Sequence, residues 1–196
     1  MSYRSIQFSV ALLAACLVCQ VTRAAIIELE PNDVLADATP IPRVGGNFAD
    51  VGVARLGGSG GDVDVFSIDL FPGEFVLANT AGIEGTPIGS SPDTIVALVD
   101  PSGTIIEYDD DDAQSFGSNF TFEIVTDGTY YIAVSGFGDS TSPQIGQMFG
   151  DTSFIGDHTE RGNYILTVSV VVPEPATLAT VLIALVGVGC LMRRMR

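Results

Sequence analysis

Short runs rich in Val, Ile, Phe and Tyr, with apolar and polar positions alternating, follow one another along the middle of the chain. They predict strands at Phe48 to Leu56, Val63 to Leu70, Glu74 to Ala81, Thr94 to Asp100, Thr104 to Tyr108, Phe120 to Val125, Thr129 to Ser135 and Asn163 to Val171. In the second run Val63 and Val65 share a side with Asp64 opposite, and Phe66 then interrupts the alternation. Turn chemistry stands at the joints. Phe71-Pro72-Gly73, Asp100-Pro101-Ser102-Gly103 and Asp127-Gly128 supply a fixed proline angle or a glycine at positive φ. Short strands with turns between them predict an all-β fold, an antiparallel β-sandwich of jelly-roll-like form. Only Pro31 to Ala38 offers a helical turn, and Gly136 to Gly162 reads as a long polar loop.

The two ends depart from this pattern with unbroken apolar runs. Arg4, the run from Ile6 to Val18, and small residues ahead of Ala25 read as a secretory signal peptide over residues 1–24, cut between Ala24 and Ala25 by signal peptidase. A rival reading is a lipobox at Leu13-Ala14-Ala15-Cys16, with Cys16 lipidated; it ranks second because the apolar run continues past the cysteine. At the other end Ala176 to Met192 is a 17-residue run without a charge, at the short end of what spans a bilayer as a helix. Arg193, Arg194 and Arg196 follow and favour the cytoplasmic side, so the residues before the span are expected outside. Between the ends, 25–171 is expected to form one folded unit, since 196 residues do not make two ordinary domains as well as targeting segments.

Charge narrows the function. The whole chain has 24 acidic and 8 basic residues and a net charge of -16. Between the targeting segments 3 arginines face 23 carboxylates. Nucleic-acid binding by counterion release is excluded, and compaction must overcome strong self-repulsion. All three cysteines fall in the terminal segments, so the exported unit has no disulfide to help.

The carboxylates are clustered. In Glu28-Leu29-Glu30-Pro31-Asn32-Asp33 the two glutamates share a side of an extended segment, and Pro31 turns the chain so that Asn32 and Asp33 can converge with them. Hard oxygen ligands gathered in this way suit calcium. Gly60-Gly61-Asp62-Val63-Asp64 is a second cluster, with Asp62 and Asp64 on one side. The third and weaker candidate is Asp109, Asp110, Asp111 and Asp112, which reads equally as a solvated loop and as a cation site.

Two resemblances follow from these motifs. Pro173-Glu174-Pro175, an apolar span and an arginine cluster at the chain's end resemble a PEP-CTERM sorting signal over residues 172–196. That resemblance implies a transient membrane anchor, removed by an exosortase, and a protein sorted to the cell surface or extracellular matrix of a polysaccharide-producing bacterium. The opening Glu-x-Glu-Pro-Asn-Asp, Asp64-Val65-Phe66, Pro72-Gly73, Leu98-x-Asp100-Pro101-x-Gly103, Asp127-Gly128-Thr129-Tyr130-Tyr131 and Gly162-Asn163-Tyr164-x-Leu166 resemble a bacterial pre-peptidase C-terminal domain. Such domains are β-sandwiches appended to secreted peptidases, related to collagen-binding domains. The resemblance implies Ca2+ ligation by Glu28, Glu30, Asn32, Asp33 and the Asp62/Asp64 pair.

An enzyme is not expected. The one histidine, His158, lies in the polar loop, where a solvated histidine is the common case. The exported part holds no cysteine or lysine, and no Trp to stack a sugar beside a carboxylate pair. The expected function is a non-catalytic, calcium-stabilised structural or adhesion module, with extracellular polysaccharide or protein as a partner. The alternative is a specific protein- or glycan-binding module; a hydrolase ranks below both. Tyr130, Tyr131 and Tyr164 are expected at the core or its rim, and Phe137, Phe149 and Phe154 to pin the long loop down.

Overall fold

A computed structural model of the chain describes residues 26–43, 47–57, 62–82, 91–111, 116–139, 143–150 and 154–173. The expected signal peptide, the Ala24/Ala25 junction, Asp112 and the tail from Glu174 through Pro175 to Arg193, Arg194 and Arg196 lie outside the described residues. Among the described residues no helix is long and apolar enough to cross a membrane.

All eight expected strands form, with ends displaced by a residue or two. They are β2 (Phe48–Leu56), β3 (Asp64–Leu70), β4 (Phe75–Gly82), β5 (Thr94–Val99), β6 (Ile105–Asp109), β7 (Asn119–Glu123), β8 (Gly128–Gly136) and β9 (Gly162–Val171). An additional short strand, β1 (Thr39–Pro40), pairs parallel with β3, so one sheet is mixed and not purely antiparallel as expected. A strand of two residues, one of them proline, carries no periodicity that would mark it in the sequence. The helical turn expected in Pro31 to Ala38 is a single 3-10 turn at Leu35–Asp37.

The strands form two sheets, ordered β1-β3-β8-β5-β6 and β2-β9-β4-β7. Phe66 and Ile68 of β3, Leu98 of β5 and Ile132 of β8 meet Leu56 of β2, Val76 of β4 and Leu166 of β9 in one shared core. Each such side chain contributes roughly 1.5–3 kcal/mol on burial. Where the sheets meet in polar contact the hydroxyls are satisfied: Thr80 and Thr94 hydrogen-bond at 2.7 Å across the sheets, and Ser118 N donates to Thr80 Oγ1 at 2.8 Å.

The five-stranded sheet is also covered on its other face. Val65, Ile95, Ala97, Val99 and Ala133 form a second apolar cluster with Phe154, against which Leu35 and Phe149 pack. The long loop after β8 therefore has an apolar lining. Phe149 and Phe154 stack with ring centroids 6.2 Å apart, whereas Phe137 is 53% exposed and its ring takes no part in this cluster. Two-sided burial explains the broken alternation at Phe66: Val65 and Phe66 are both buried, on opposite faces. In the hairpin between β5 and β6, Gly103 takes φ +88°, a conformation that Asp100-Pro101-Ser102 can lead into only through glycine.

Candidate metal centre

Residues 26–33 form a strap that crosses from one sheet to the other. Ile26 is buried in the shared core, Ile27 makes a parallel bridge to Val53 of β2, and Glu28 Oε2 accepts the Arg55 amide at 3.0 Å. Gly52 admits this approach: a Cβ there would lie 2.4 Å from the Ile26 carbonyl oxygen. Beyond the cis Glu30–Pro31 peptide the strap joins β3. Val65 N donates to Asn32 O at 3.1 Å, Asn32 Nδ2 donates to Val65 O at 3.3 Å, and Val63 N donates to Asp33 Oδ1 at 3.3 Å. Thr39 holds the middle, accepting Leu29 N at 3.0 Å.

Under this strap, carboxylate oxygens of Glu28, Glu30 and Asp64 lie within 4.8 Å of one another. Asp64 opens β3 on its inward side, fully buried, and its Oδ2 accepts a hydrogen bond from the Tyr164 hydroxyl at 2.6 Å. Tyr164 belongs to the other sheet, so this contact also spans the sandwich. Glu30 Oε2 accepts Asn32 N at 3.2 Å. Glu28 Oε1, Asn32 Oδ1 and Asp64 Oδ1 are buried without a partner among the described residues.

Such a site holds its charge poorly by itself. Burial pushes the Glu28 carboxyl up to about 7, and the adjoining Asp64 carboxyl and the Arg55 amide only partly oppose it. Burial, followed by the charge of Glu28, pushes Asp64 up to about 9 against the pull of the Tyr164 hydroxyl. Glu30 is raised by burial and then by Asp62, and the buried Tyr164 hydroxyl is raised well above its usual range by burial and then by Asp64. Every charge that raises these groups is another acid. A divalent cation reverses this balance. The donors are all hard oxygens, three of them orphaned, with no sulfur or imidazole in the set, and they fit calcium better than zinc.

The structure thus brings together Glu28, Glu30 and Asp64, with Asn32 alongside. Asp62 stands next to them, its charge acting on all three carboxylates and its Oδ2 accepting the Gly57 amide. Asp33 is engaged with β3 through Val63 N. Tyr164 was legible only as an aromatic of the core; its bond to Asp64 spans 100 residues and leaves no local signal. His158 is half-buried and not freely solvated as expected, its Nε2 lying 2.8 Å from the Asp62 carbonyl oxygen.

The third predicted cluster lies elsewhere and gains members that the sequence did not mark. Asp93 is raised to about 6 by burial and then by Asp111, Glu160 and Asp110. Asp110 is raised by burial, Asp111 and Asp109. Asp109 is committed to the Asn119 amide at 2.7 Å, and Glu160 accepts Asp93 N at 3.0 Å. These side chains are half-buried or exposed.

No protein family's profile matches the chain. A probable subtilase-type serine protease of Deinococcus radiodurans is 38% identical over 106 residues, 54% of this chain and 14% of the protease. The chain therefore spans about a seventh of that relative's length. Among solved structures, the periplasmic inhibitor of g-type lysozyme from Aeromonas hydrophila aligns over 76% of this chain and 97% of its own, at 11% identity and a TM-score of 0.43. The pre-peptidase C-terminal domain of a Bacillus anthracis collagenase aligns over 60% of this chain and 86% of its own, at 15% identity and a TM-score of 0.36.

Proposed function

We propose that the chain is an exported, non-catalytic β-sandwich in which calcium fastens the strap across both sheets, serving as a structural or adhesion module at the cell surface or in the surrounding polysaccharide. The observation that carries this reading is the convergence of Glu28, Glu30 and Asp64 within 4.8 Å beneath the strap, with orphaned oxygens and only acids for charged company. The ligands come from the strap and from β3, so a cation there joins the first residues after the expected signal cleavage to the body of the fold. The similarity to a short part of a much longer protease supports a module that occurs beside other domains. In this reading Ala176 to Met192 anchors the protein until an exosortase removes the tail behind Pro173-Glu174-Pro175.

A site with a dissociation constant of about 0.1 mM, usual for extracellular modules, adds roughly 1.4 kcal/mol at about 1 mM calcium. Thermal unfolding of the chain in calcium and in chelator tests this. The midpoint rises with calcium, and Glu30→Gln combined with Asp64→Asn removes the rise. A midpoint indifferent to calcium sinks the reading.

A further inference from the structure

The outer face of the four-stranded sheet differs from the rest of this acidic surface. Along β2, β9, β4 and β7 the outward positions carry two charges, Arg55 and Glu123; the other outward side chains are apolar, hydroxyl or amide. The face is open among the described residues, Val51, Val53 and Val171 being 44%, 58% and 44% exposed. Neither Arg55 nor Glu123 has an ion-pair partner among the described residues.

Strand register places the two charges at diagonal corners. Arg55 stands opposite Asn163 at one end of β9, while Glu123 stands opposite Phe75, which faces Val171 at the other end. Strand rise and spacing separate them by about 26 Å along the strands and about 14 Å across. A two-fold axis in the plane of the face, perpendicular to that diagonal, exchanges the corners. A second copy laid on the face by this axis puts its Glu123 against Arg55 and its Arg55 against Glu123. The same rotation carries Val53 onto the gap between Phe75 and Leu77, carries Ile165 onto Leu77, and leaves Thr167 and Asn79 beside the axis near their own counterparts.

We propose that this face is a self-association surface, on which two copies of the chain pair face to face through a two-fold axis with reciprocal Arg55–Glu123 contacts. The cation reading plays no part in it. Two molecules of charge -16 repel each other everywhere except where their surfaces are nearly uncharged, and this face is such a place. The reciprocal ion pairs set orientation more than affinity, since exposed pairs contribute little. The sheet's dimensions give about 500 Å² per copy, which reaches only the lower limit for a specific interface. The dimer is therefore weak and forms in a concentration-dependent way, more readily once salt screens the net repulsion.

Sedimentation velocity of the full chain over a concentration series, at moderate salt, tests the proposal. A monomer–dimer equilibrium is expected. Arg55→Glu or Glu123→Arg alone abolishes it, and the two together restore it. Val53→Ser weakens it without moving the unfolding midpoint. A chain monomeric at every concentration overturns the proposal, as does a dimer indifferent to both single reversals, or one that the double reversal fails to restore.

Discussion

The two sheets share one core but differ in what lies behind them. Behind the five-stranded sheet a loop and a 3-10 turn lay Phe149, Phe154 and Leu35 on Val65, Ala97 and Val99, and β5 has no exposed position. Behind the four-stranded sheet stands an open face, and β9 alternates buried and less buried residues along most of its length. Antiparallel strands thus read as alternating only where one face meets solvent. The loop that covers the first sheet is as much a core element as a strand, and Phe149 and Phe154 are the residues of its sequence that announce it.

Mutational sensitivity separates the two outer faces. Phe154→Ala removes a ring that is 2% exposed and costs about 3–4 kcal/mol in urea unfolding. Val51→Ala, on the open face, changes stability by no more than about 0.5 kcal/mol. Equal effects at the two positions would erase the distinction.

Gly52→Ala probes the place where the strap meets the four-stranded sheet. The added methyl group meets the Ile26 backbone and side chain, costing about 1–3 kcal/mol. Hydrogen exchange at the Arg55 amide, which Glu28 protects, accelerates more than exchange at amides within β5.

With pH, stability changes in a direction set by the buried carboxylates. Without a cation, Glu28 and Asp64 have folded-state values of about 7 and about 9, above their unfolded ones, so the folded state binds more protons. The stability of the protonated cluster is fully present below about pH 4 and is lost as pH rises through those two values. Asp93, raised to about 6, adds a loss of the same sign in a lower window. In chelator the unfolding midpoint falls from pH 5 to pH 9, and Asp64→Asn flattens the upper part of that fall. Calcium bound as proposed favours the ionised carboxylates, and its addition is expected to counter the trend.

The strands were legible because alternation and turn residues are local, and β2 was bounded to the residue. The polar groups that gather under the strap were legible for the same reason: Glu28, Glu30 and Asn32 lie within five residues, and glycines precede Asp64. Contacts made only by folding were not. Tyr164 reaches Asp64 across the sandwich, Glu160 meets Asp93 from 67 residues away, and His158 reaches the Asp62 carbonyl from the loop. The different parts taken by Asp62 and Asp64 were hidden too, because Asp64 is the first residue of β3 and meets Tyr164 whereas Asp62 stands before the strand and accepts the Gly57 amide.

The position of β9 has a bearing on how the fold is assembled. It is the last strand among the described residues, yet it is the strand to which both β2 and β4 are zipped. Read from the N-terminus, β2 gains its partner strand within the sheet only with residue 162 and beyond, and before that has only the bridge from Ile27 to Val53. Asp64 meanwhile waits for Tyr164. Assembly of the four-stranded half is thereby tied to the presence of residues as far as 171, and a chain cut short before β9 is left with unpaired strand edges.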